Sequence, residues 1–160
     1  MNEHVALKPS KAGYDTDFYQ WSMQQAELLR AGRFDLVDIE NIAEEIESLG
    51  NSDKRQIATR MSRIIEHLLK LQFSPAQDPR SNWRVSATYQ RQNLDQILGD
   101  SPSLNARRAE FLPTAWKMGV NLARKGMKDE PDSLGLLALV AASPIYSVDQ
   151  ILNDDFFPGD

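Results

Sequence analysis

Residues 35–73 read DLVDIENIAEEIESLGNSDKRQIATRMSRIIEHLLKLQF, and how this stretch folds decides the architecture. Ile39, Ile42, Ala43, Ile46 and Leu49 recur at three- and four-residue steps, the spacing of one apolar helical stripe. Gly50 follows the last of them, where a glycine commonly ends a helix. A second stripe begins beyond Ser52 with Ile57, Met61, Ile64, Ile65, Leu68 and Leu71, and Pro75 and Pro79 forbid its continuation. The spacing therefore predicts two helices, over 35–49 and 52–73, folded into a central antiparallel hairpin across the short turn at Gly50–Ser52.

Working outward, Phe18, Trp21, Gln25 and Leu28 form an earlier helix that follows Asp15 and Asp17 and stops at Gly32. Beyond the prolines, Ser81 is expected to cap a helix carrying Trp83, Ala87, Leu94, Ile97 and Leu98, closed by Gly99. Pro113 must kink or divide the helical segment 104–126. The alanine- and leucine-rich run 134–142 reads as helix rather than strand. Ser147-Val-Asp-Gln150 is a capping box opening a last short helix. The expected fold is all-α, a helical bundle of five to seven helices, with 1–13 a mobile leader and 14–160 a single helical domain.

The chain has 160 residues, 41% hydrophobic, enough for one domain with a real core. The absence of cysteine excludes disulfides, thiolate nucleophiles and all-cysteine zinc sites. No apolar run approaches the roughly 20 residues needed to cross a bilayer, and the first residues lack the charge and apolar pattern of a signal peptide. A cytoplasmic protein with no membrane association is expected. The net charge of −5 conceals a pattern: residues 1–50 carry −6, residues 51–128 carry +8, and residues 129–160 carry −7. Either the acidic ends fold onto the basic middle, or the middle meets an anionic partner.

The polar residues beside the stripes are the candidate binding residues. At about 100° per residue, Glu40 and Glu44 point away from the first stripe, while Asp38 and Glu45 lie on its border. Arg60, Arg63, His67 and Lys70 run down a flank of the second. In a hairpin the acidic and basic flanks would meet, with Glu45 and His67 shaping a polar pocket, or else merely lace the surface with ion pairs. Trp83, Arg84 and Arg91 pair aromatic and basic groups that could hold a nucleobase or phosphate, pack the helix start, or dock the acidic tail.

Catalytic constellations are incomplete. A di-metal carboxylate bundle needs Glu-x-x-His on two helices, yet Glu66 directly precedes His67 and the other histidine is His4. Arg60 and His67 resemble the arginine–histidine pair of HEPN ribonucleases in spacing, although Met61 stands where a polar residue is usual. No nucleophile elbow or glycine-rich phosphate loop is present. The reading that follows is a non-enzymatic protein-interaction module. A HEPN-like ribonuclease using Arg60 and His67 is the alternative, and a Glu/His metal-binding bundle ranks below that. No cofactor or metal is expected. The expected partner is a protein, a second copy included, with nucleic acid at the basic middle segment ranked lower.

Four segments then carry a likeness: Tyr14-Asp-Thr-Asp-Phe-Tyr-Gln-Trp21, Asp38 to Gly50, Ile65-Glu-His-Leu-Leu-Lys-Leu-Gln72, and Tyr146 to Pro158. With Ser81-Asn-Trp-Arg84 and Asp100-Ser-Pro-Ser-Leu104, they resemble domain-of-unknown-function family 29, small proteins of cyanobacteria and proteobacteria. The resemblance implies an all-helical fold and no particular activity. Its recurrent polar positions correspond to Glu44, Glu45, His67, Lys70, Trp83, Arg84 and Arg91. Residues 130–143 are more apolar than the linker usual in that family, and Leu71 stands where an aromatic is common.

Overall fold

Asp17 accepts a hydrogen bond from the Gln20 N–H at 3.0 Å and so caps the first helix, α1 (Phe18–Arg30). Gly32, at φ +68°, takes the left-handed conformation that ends it. The computed structural model describes residues 13–159, so His4 and all but the last residue of the expected leader lie outside it. The remaining helices are α2 (Ile39–Phe73), α3 (Arg80–Asp100), α4 (Pro102–Ala106), α5 (Leu112–Gly126), α6 (Pro131–Val140) and α7 (Val148–Leu152). One 3-10 turn, Arg108–Phe111, precedes α5, and no strand occurs among the described residues. The all-α bundle expected from periodicity is present.

The hairpin at Gly50 is not. Residues 39–73 form one unbroken helix, and Gly50 lies inside it with open space where a Cβ would be. Glycine permits a left-handed stop but does not impose one. Nothing from Asn51 to Gln56 is proline, and the buried Ile57 and Met61 reward continuation. The chain instead reverses between Phe73 and Arg80, across the segment that holds Pro75 and Pro79. There α2 and α3 pair antiparallel, Lys70 lying by Trp83 and Arg60 by Gln90.

Contacts divide the chain at Asn51 into two compact units. In the first, Trp21, Gln25, Val37 and Asp38 are buried, and the Tyr14, Phe18 and Trp21 rings cluster with centroids 4.8 to 6.0 Å apart. Ile39, Ile46 and Leu49, expected to face a core, are 65%, 64% and 70% exposed.

The second unit contains the main core. Ile57, Met61, Ile64, Ile65, Leu68 and Leu69 from α2 pack with Leu94 and Leu98 from α3, Trp116 and Val120 from α5, Leu137 and Ile151. α5 lies close to α2 at Gly119, where a Cβ would stand 2.6 Å from the Ile65 side chain. Pro113 sits in the first turn of α5, so the proline divides the segment instead of kinking it. Ser81 caps nothing: α3 begins one residue earlier, behind Pro79. The Ser147–Gln150 capping box forms as its spacing predicts, with bonds of 2.9 and 3.1 Å.

Candidate functional site

The expected basic row does lie on α2, but its charge partner is on the same helix. Glu66 is buried and accepts hydrogen bonds from Lys70 Nζ at 2.6 Å and Arg63 at 3.1 Å, the neighbours one turn away on either side. Burial alone pushes its carboxyl up, yet the bond and charge of Lys70, followed by His67 and Arg63, hold it below the usual carboxylate range. Lys70 is further pinned by the Trp83 ring, 5.9 Å away, and by Gly126, where any Cβ would collide with the lysine chain. Sequence reasoning used Glu66 only to argue against a metal; its i−3 and i+4 spacing to Arg63 and Lys70 was the signal available.

His67 is half-buried beside this triad, its Nδ1 enclosed without a hydrogen-bond partner among the described residues. Burial lowers its pKa; Glu66 opposes this while Lys70 and Arg63 add to it, so the imidazole is neutral near pH 7. Arg60, two turns earlier, donates to Gln90 Oε1 at 3.2 Å.

The acidic flank has other partners, all in the first unit. Tyr14 donates its hydroxyl to Glu45 at 2.7 Å, and that carboxylate pushes the phenol pKa up to about 12. Asp38 is buried, takes the Asn41 side-chain amide at 2.7 Å, and gives its backbone N–H to Gln25 Oε1 at 2.8 Å. Glu44 is exposed. Because the helix runs on through Gly50, the reversal expected there to bring Glu45 to His67 is absent.

Arg91 holds the carboxy-terminal segment. It is 2% exposed and donates to the carbonyls of Ile151 at 2.8 Å, Phe156 at 2.8 Å and Asp154 at 3.4 Å. Its guanidinium also lies 4.9 Å from the Phe157 ring centroid, and that of Arg84 lies 5.4 Å from it. Arg80 reaches the Gly159 carbonyl at 3.0 Å. The aromatic–basic face of α3 therefore docks the tail, one of the readings its spacing allowed. Among the described residues no group of three or more His, Asp or Glu side chains is placed to hold a metal ion.

The family model for the Domain of unknown function DUF29 matches residues 14–157. No curated protein and no solved structure matches the chain.

Proposed function

The chain belongs to the DUF29 family, and from that premise we propose that it is a non-enzymatic protein-interaction module. Its first unit offers the seam Ile39, Ile46 and Leu49 to a basic amphipathic segment of another protein. The observation that carries this reading is the exposure of that seam, at 65%, 64% and 70%. Taking three large aliphatic side chains at helical spacing out of water is favourable by roughly 1.5–3 kcal/mol for each one fully buried. Charge selects the occupant: between Arg33 and Lys54 the chain has no basic side chain, but it carries Glu40, Glu44, Glu45 and Glu47. A partner helix with an apolar face and lysine or arginine margins fits both features.

The probe is a fluorescent leucine–lysine amphipathic peptide, with a leucine–glutamate peptide as control. Binding of the first alone, weakened about tenfold or more by Ile46→Ser and by Leu49→Ser, is the expected result. Equal binding of both peptides, or indifference to both substitutions, would remove the proposal; so would a stable dimer that Ile46→Ser dissolves, since the occupant would then be a second copy.

The enzymatic reading has one observation in its favour, the half-buried imidazole of His67, its Nδ1 without a partner among the described residues, two turns from Arg60. It predicts degradation of total RNA by the purified chain and loss of that activity in His67→Ala. Equal behaviour of the two proteins ends it.

A further inference from the structure

In the second unit, one face of α2 and Gln90 of α3 line an open cavity of about 350 Å³ that the interaction reading above does not use. Its charged lining residues are all arginines, Arg55, Arg60 and Arg63, accompanied by Gln56, Thr59 and Gln90. On α2 these residues fall on one stripe, because steps of three and four return to the same face. Like charges so arranged repel one another. Arg63 is compensated by Glu66. Arg60 has only the neutral Gln90 oxygen at 3.2 Å, and its Nε is buried without a partner among the described residues. Arg55 makes no ion pair among the described residues. An enclosed, unpaired guanidinium N–H costs about 1–3 kcal/mol of lost hydration, a cost that a bound acceptor removes.

We propose that this cavity binds a small organic phosphate monoester. Two uncompensated guanidiniums match the charge of a monoester, near −2 at neutral pH, and their forks match its three terminal oxygens. A carboxylate offers two oxygens and one charge, too few for both. The volume exceeds what a bare phosphate fills, leaving room for an attached organic group over Gln56, Thr59 and Gln90. A concave site on an acidic chain, of net charge −5, suits a small dianion better than a polymer, whose long run of charge the protein's overall field opposes. Arg60 is shared with the arginine–histidine pairing but His67 does not line this cavity, so Arg55→Gln tests phosphate binding without touching that pair.

The test is calorimetric titration of the full chain with ribose 5-phosphate, inorganic phosphate, citrate and a single-stranded RNA oligonucleotide at low salt. One-to-one binding of ribose 5-phosphate, tighter than inorganic phosphate and citrate, is expected. Arg55→Gln and Arg60→Gln should each weaken it about tenfold or more with unchanged circular dichroism. Arg55 is exposed, so its variant reports on binding even if Arg60→Gln disturbs the fold. The proposal is overturned if ribose 5-phosphate gives no saturable heat or if citrate or inorganic phosphate binds equally well. It is equally overturned if Arg55→Gln has no effect, or if the RNA binds where the monoester does not.

Discussion

Glu66 is the residue on which the polar side of α2 turns. Its neighbours Arg63 and Lys70 are basic, and Lys70 is itself largely enclosed, so removing the carboxylate strands a cation between Trp83 and Gly126. Glu66→Gln is expected to cost about 2 kcal/mol in urea unfolding, below the value for a fully buried pair because Arg63 remains half in water. Since its folded pKa lies below the ordinary 4.5, the stabilisation is present above that pH and is lost as pH falls through the lower folded value. Acid titration of Glu66→Gln should therefore be flatter than wild type below about pH 4.5. His67 acts in the same direction in a higher window. Its folded pKa is depressed from 6.5, so the unfolded chain binds its proton first and stability declines as pH drops below that value. A nuclear magnetic resonance titration should find the His67 midpoint below 6.5, and His67→Gln should remove that part of the pH dependence. Glu66 was legible only as one member of a charged run, because spacing shows which neighbours are reachable and not which are desolvated.

At the scale of elements, glycine is the instructive residue. Gly32, Gly50 and Gly99 all follow apolar stripes, yet only Gly32 adopts positive φ and ends its helix. Gly32→Ala should destabilise by about 1 kcal/mol, the strain of a side chain in the left-handed region. Gly50→Ala should do the reverse and stabilise by about 0.5–1 kcal/mol, since Gly50 is helical, exposed and meets nothing within 4 Å. A hairpin turn at Gly50 would give the opposite sign, so thermal melting of this one variant separates the two architectures. The stripes themselves were read correctly on α2 beyond Ser52, where Ile57, Met61, Ile64, Ile65, Leu68 and Leu71 are all buried. The preceding stripe was equally regular and is largely exposed, because periodicity reports that a face is apolar without reporting what covers it.

Across the second unit, the acidic carboxy-terminal block does return to the basic block, although largely through its backbone. Arg108 meets Asp149 at 3.4 Å, whereas Arg91 and Arg80 are spent on carbonyls of residues 151–159. The docked segment brings Phe156 to Tyr146, which stacks edge-on against Trp116 and donates its hydroxyl to Gln72. Arg91→Met removes the donors to Ile151, Asp154 and Phe156 and leaves the buried Ile151 carbonyl unsatisfied, at a cost of about 3 kcal/mol. Hydrogen exchange confined to residues 147–159 should accelerate and the Trp116 emission should shift to the red; unchanged protection there would show that the arginine does not hold the segment. The charge blocks indicated attraction, but attraction at block level does not identify carbonyls as the acceptors.

The sequence by itself determined the all-α class, the buried face of α2 beyond Ser52, a kink or break at Pro113 and the Ser147 cap, because each depends on local periodicity, a missing N–H or a side chain within reach of its own backbone. Tertiary structure alone decided that Gly50 is passed over, that Glu66 rather than Asp38 or Glu45 neutralises the basic row, and that Arg91 clasps the tail. Those outcomes depend on which groups lose water when distant segments pack, and desolvation is a property of the assembled neighbourhood that no spacing along one chain records.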